Sequence, residues 1–88
     1  MKIVKAAVAG TLESSDAYVE IEPGKNGVQI QLESVVMDQF GQAIEQTVRE
    51  VLQEQAVENA NVRVIDRGAL DCVIRARVET AVLRGGKN

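Results

Sequence analysis

Histidine and tryptophan are absent from this chain, and cysteine, proline, tyrosine and phenylalanine occur once each. Without histidine there is no imidazole base and no Ser-His-Asp arrangement. Cys72 has no histidine to activate it, and between Asp71 and Val73 it reads as a small core residue. A single cysteine rules out an internal disulfide and suits a reducing cytoplasm. One cysteine and no histidine also leave a transition metal without its usual ligands. Aromatic residues make up only 2% of the chain, Tyr18 and Phe40, so any core must be built from Val, Ile, Leu and Ala. No apolar run is long enough to cross a bilayer, and no signal-type apolar core follows Met1-Lys2. Basic charge is scarce too. The net charge of -3 leaves no face for nucleic-acid phosphates, and Arg75, Arg77 and Arg84 are too sparse a cluster to supply one.

What is present points to one small domain. The chain has 88 residues, 45% of them hydrophobic, which is too apolar for a disordered tail. Met1 to Val8 reads as an edge strand, followed by a surface loop over Ala9 to Ser15. Ala17 to Glu22 alternates, with Val19 and Ile21 on one side and Glu20 and Glu22 on the other. Pro23-Gly24-Lys25-Asn26-Gly27 is a turn cluster with a strong hairpin signal in Asn-Gly. Val28 to Glu33 alternates again, so these two runs are expected to pair antiparallel. At Ser34, a natural N-cap, the period changes. Met37, Phe40, Ile44, Val48, Val51 and Leu52 then recur at three and four, one face of a helix running to about Val57. Val62 to Asp66 is a further strand. Ala69 to Leu83 is helical, with Leu70, Val73, Ile74, Val78, Ala81 and Val82 as its apolar stripe, and residues 85–88 form a frayed tail. The fold class is α+β: two layers, with a small, mainly antiparallel sheet of three to four strands packed against two helices.

One segment is not explained by folding alone. Gly10-Thr11-Leu12-Glu13-Ser14-Ser15-Asp16 sets two adjacent hydroxyls between carboxylates on a surface loop. Such residues commonly cap helices and close turns. An exposed hydroxyl is a poor nucleophile unaided but a good place for another enzyme to attach a group. No intrinsic catalysis is expected: Gly24 and Gly27 belong to a turn rather than a phosphate loop, and most Asp and Glu fall on solvent faces.

Two blocks in this order, Ala9-Gly10-Thr11-Leu12-Glu13-Ser14-Ser15-Asp16 and Asp66-Arg67-Gly68-Ala69-Leu70-Asp71-Cys72-Val73-Ile74-Arg75-Ala76-Arg77, carry a resemblance. Together with Gln39-Phe40-Gly41-Gln42-Ala43-Ile44 they resemble the acyl carrier protein of citrate lyase, its gamma subunit, over nearly the whole chain. The resemblance implies a CoA-derived prosthetic group, phosphoribosyl dephospho-CoA, joined by a phosphodiester to the serine after Gly-Thr-Leu-Glu, which here is Ser14. It implies an acetyl thioester on that arm, exchanged with citrate by the alpha (transferase) subunit. The beta (lyase) subunit then releases oxaloacetate. It also implies a prosthetic-group transferase and an acetate-ligating activating enzyme as partners. Ser15 and Asp16 would shape the loop. The residues alone do not separate Ser14 from Ser15; the motif assigns Ser14.

The acyl carriers of fatty-acid synthesis are helical bundles that modify a serine in an Asp-Ser-Leu setting. Glu33-Ser34-Val35 comes nearest to that here, which makes Ser34 the alternative attachment site. Two other functions fit the pattern: the carrier subunit of malonate decarboxylase, and an unmodified adaptor docking through the arginine-bearing helix Ala69 to Leu83.

Overall fold

Four strands and two helices follow one another as β1 (Ala7–Gly10), β2 (Ala17–Pro23), β3 (Val28–Ser34), α1 (Met37–Glu54), β4 (Ala60–Asp66) and α2 (Asp71–Gly85) in the computed structural model, which describes residues 1–87. The helices lie against each other on one face of the sheet, α2 over β1 and β2, and α1 beside β3. Period-two alternation turns Val19, Ile21, Val62 and Val64 inward, where they meet Val48, Val51 and Leu52 of α1 and Val78 and Val82 of α2. This core is wholly aliphatic, as the scarcity of aromatics requires. The outer face of the sheet is polar, and Arg63 bridges Glu20 (3.0 Å) and Glu33 (3.9 Å) across it. Among the described residues no helix is long and apolar enough to cross a membrane.

The strand order is β1-β2-β4-β3, so the expected β2–β3 hairpin does not form. Instead β4 is inserted between the two strands, antiparallel to β2 and parallel to β3. Ala60 pairs with both Pro23 and Val28. The four residues Gly24 to Gly27 therefore bridge two strand spacings, roughly 10 Å, which four extended residues can span. The bridge is tied to the start of β4: Ala60 N–H donates to the Gly27 carbonyl (3.1 Å), and Gly27 N–H donates to Asn59 Oδ1 (2.9 Å). A Cβ on Gly24 would lie 2.9 Å from the Ala60 backbone, so glycine is needed where the connection crosses β4.

Several expected boundaries shift. The edge strand is Ala7–Gly10, not Met1 to Val8; the residues before it strap the end of α2, with the N–H groups of Val4 and Lys5 donating to the Gly85 carbonyl. Gly85, expected in a frayed tail, is buried and closes α2; Asn88 lies outside the described residues. Ser34 ends β3 rather than capping α1, whose N-cap is Val36. The helix stops at Glu54, short of Val57. There Val57 N–H donates to Leu52 O and Ala56 N–H to Gln53 O, the Schellman closure, with Ala56 at φ 56° in place of the usual glycine. Met37 and Phe40 lie on the first turn of α1 and are exposed; Leu70 precedes α2 and is exposed as well. Cys72 is exposed, not a core residue.

Candidate functional site

The loop that carries Ser14 joins β1 to β2, neighbours in an antiparallel ladder whose last pair is Gly10 with Tyr18. Gly10 opens it at φ +88°, where a side chain would collide with the Ala17 carbonyl. Glu13 to Asp16 form a turn closed by Asp16 N–H on the Glu13 carbonyl (3.2 Å). Ser14 and Ser15 are the two central residues of this turn, and both are exposed. Ser15 takes φ 66°, the positive value that a type II turn requires at its third position. Its N–H donates to the Arg67 carbonyl (2.8 Å), and Arg67 N–H donates back to the Asp16 carbonyl (2.9 Å). The loop base thus continues past the end of the β2–β4 ladder as a bulge, with Ser15 and Asp16 both facing Arg67. Among the described residues, no backbone tie of this kind and no side-chain hydrogen bond engages Ser14.

Asp16 organises the loop. Its Oδ2 accepts from Thr11 Oγ1–H (2.6 Å), and its Oδ1 accepts from Ala17 N–H (2.7 Å). Thr11 Oγ1 in turn accepts from Glu13 N–H (3.2 Å). From α2, Arg77 grips both carboxylate oxygens, Nε to Oδ1 at 2.9 Å and Nη2 to Oδ2 at 3.1 Å. This planar, two-point pairing is the geometry that guanidinium provides and ammonium does not. The bonds from Arg77, Thr11 and Ala17 hold the Asp16 carboxyl well below the usual carboxylate range, and Asp16 in turn raises Arg77. In the sequence Arg77 stands in a sparse basic cluster and at the end of the second block, with no role attached to it. Its partner lies 61 residues away, and no local pattern links the two.

The two sequence blocks that carry the resemblance therefore meet. Glu13, Ser14, Ser15 and Asp16 sit in one turn, fastened by Arg67 and Arg77 of the second block. Ser34 is placed differently. It is half-buried, its Oγ–H donates to Asp66 Oδ2 (2.7 Å), and its Oγ accepts from Val36 N–H (3.1 Å). Asp66 is 1% exposed and also receives Ala69 N–H (2.9 Å), so the Ser34 hydroxyl is tied into a buried junction of β3, β4 and the start of α2. The arginines of α2 do not present a free basic face. Arg75 pairs with Glu50 (3.4 Å) and Glu54 (2.9 Å), Arg77 with Asp16, and Arg84 donates to the Val8 carbonyl (2.8 Å). Among the described residues no cluster of His, Cys, Asp or Glu is arranged to hold a metal.

The family described as Malonate decarboxylase delta subunit (MdcD), an acyl carrier family, matches residues 4–85. The citrate lyase acyl carrier protein 2 of Salmonella typhimurium is 54% identical over 88 residues, 99% of this chain and 91% of the relative. The citrate lyase acyl carrier protein of Lactococcus lactis is 56% identical over 84 residues, 96% and 88% of the two chains. The chain belongs to the citrate lyase acyl carrier protein family. Members of this family are non-catalytic carrier subunits, and this carrier is one of them. A chain of a Pseudomonas malonate decarboxylase hetero-tetramer, solved in complex with malonate, superposes with a TM-score of 0.83 at 25% identity, covering 96% of the carrier and 87% of that chain. The two-layer α+β carrier is thus a different solution from the helical carriers of fatty-acid synthesis.

Proposed function

We propose that this carrier is the acyl carrier subunit of citrate lyase in the cytoplasm. In this reading phosphoribosyl dephospho-CoA is joined to Ser14 by a phosphodiester, and the carrier serves cleavage of citrate to acetate and oxaloacetate. The observation that supports it best is the contrast between Ser14, an exposed hydroxyl at the tip of a braced turn, and Ser34, whose hydroxyl is spent on a buried carboxylate. The residues fit such a group: the tip is open to solvent, its hydroxyl has no partner to lose among the described residues, and the base of the loop is fixed. When attached, the group supplies a thiol that carries the acyl unit as a thioester. The chain's own part is to hold the tether. Thr11, Asp16, Arg67 and Arg77 keep the turn ordered while Ser14 stays free. A tethered acyl unit reaches neighbouring active sites at high effective concentration, which is the gain from mounting it on a small rigid body. The partners are the alpha (transferase) and beta (lyase) subunits, the prosthetic-group transferase and the acetate-ligating activating enzyme.

Intact-mass measurement of the protein from its native host tests this directly, with one large covalent adduct expected and peptide mapping placing it on Ser14. An adduct on Ser15 or Ser34 would move the site and keep the function. A second reading, the carrier of a malonate decarboxylase, is favoured by the family match and by the hetero-tetramer's shared fold. Citrate and malonate offered separately to the assembled complex discriminate the two. The citrate reading requires turnover of citrate.

A further inference from the structure

Among the described residues, the Thr11–Asp16 loop has one side-chain clamp from outside its own strand pair, and that clamp is Arg77. The ordering of the loop otherwise rests on the short-range bonds among Thr11, Glu13, Asp16 and Ala17 and on the backbone exchange with Arg67. Arg77 stands on the second turn of α2, a helix whose Val78 and Val82 are fully buried, so its Cα is fixed by the core. Its aliphatic stem lies against Gly10, with Cδ 3.1 Å from where a glycine Cβ would stand. The guanidinium reaches from there to both oxygens of Asp16, two residues from Ser14. The hydroxyl itself touches neither group. We propose that Arg77 is the positioning residue of the attachment loop: it transmits the rigidity of α2 through Asp16 to the Glu13–Asp16 turn, so that the attaching transferase meets a preordered Ser14. This rests on Ser14 being the attachment site. Ordering the turn in advance removes an entropic cost from the encounter, so the effect falls on recognition of the carrier more than on the transfer step.

The test uses the full-length apo carrier with Arg77→Met, which keeps the stem against Gly10 and removes the fork, and with Arg77→Lys, which keeps one charge. Loading is followed by intact mass with the purified prosthetic-group transferase and its activated donor. Amide hydrogen exchange is followed at Ser15, Val19 and Val64. Arg77→Met is expected to raise the KM for the carrier about tenfold with a smaller change in kcat. It should lower protection at Ser15 while Val19 and Val64 keep theirs, with Arg77→Lys recovering only part of both effects. Wild-type KM together with unchanged Ser15 protection would overturn the proposal. So would an equal loss of protection at Val19 and Val64, which would make Arg77 a general stabilising residue. If wild-type carrier is loaded at another serine, the Ser14 assignment falls, and if it is loaded at none, the carrier reading falls with it; in both cases the exchange measurement still decides whether Arg77 orders the turn.

Discussion

Ser14 and Ser34 should separate cleanly when each is replaced by alanine. Ser14→Ala removes a hydroxyl with no partner on an exposed turn, so stability should change by less than about 0.5 kcal/mol. Ser34→Ala removes the donor to Asp66 Oδ2 and the acceptor for Val36 N–H. The 1%-exposed carboxylate keeps only Ala69 N–H on its other oxygen. Leaving a buried acceptor unsatisfied costs about 1–3 kcal/mol. In a domain of this size each kcal/mol moves Tm by about 4–8 °C, so Ser34→Ala should melt roughly 4–24 °C lower and Ser14→Ala within about 4 °C of wild type. Thermal melts by circular dichroism read the first quantity, and loading by intact mass reads the second. Ser34→Ala should still be loaded well below its Tm, and Ser14→Ala should not be loaded at all. A Ser34→Ala protein that melts normally and stays bare would refute the reasoning, because Ser34 would then be the attachment site and its bond to Asp66 incidental.

Leu52→Ala empties part of a core with no aromatic neighbour to fill the gap, and urea unfolding should show a loss of about 2–5 kcal/mol. Ala56→Gly relieves a left-handed alanine at the Schellman closure of α1 and should raise stability by up to about 1 kcal/mol in the same assay, the gain reduced by the freer unfolded chain. The depressed Asp16 carboxyl contributes stability above its unfolded value, about pH 4, and that contribution is lost as pH falls through its lower folded value. Stability measured from neutral pH into acid should therefore fall less steeply in Asp16→Asn than in wild type. Exposed Cys72 should react with iodoacetamide in the native state at a rate close to its rate in the unfolded chain; strong native protection would contradict its surface position.

Periodicity in the sequence is enough for the two layers and for β2, β3, β4 and both helices, but not for β1, which lies at Ala7–Gly10 rather than Met1 to Val8 and is too short to show a period. Strand order was not legible. Asn26-Gly27 carries a local hairpin signal, and only the later strand Ala60–Asp66, arriving through α1, decides that β2 and β3 are held apart. The end of α1 was missed because Ala56 does what glycine usually does. Met37 and Phe40 match the helical face in spacing, but they stand exposed on the first turn of α1 while Ile44, Val48, Val51 and Leu52 are buried. At the site, the motif picked out the Ser14 turn, and Asp16 was expected to shape it. The Arg77 clamp and the Arg67 brace arise from pairings across the fold, so nothing in the neighbouring sequence announces them.

Top-down mass spectrometry of the carrier taken from its native complex bears most directly on the proposed division of labour between a tether-holding body and catalytic partners. A carrier should show a single CoA-derived adduct confined to Ser14, with Ser15 and Ser34 unmodified. Carrier molecules bare at every serine, in a complex that still turns over citrate, would contradict it.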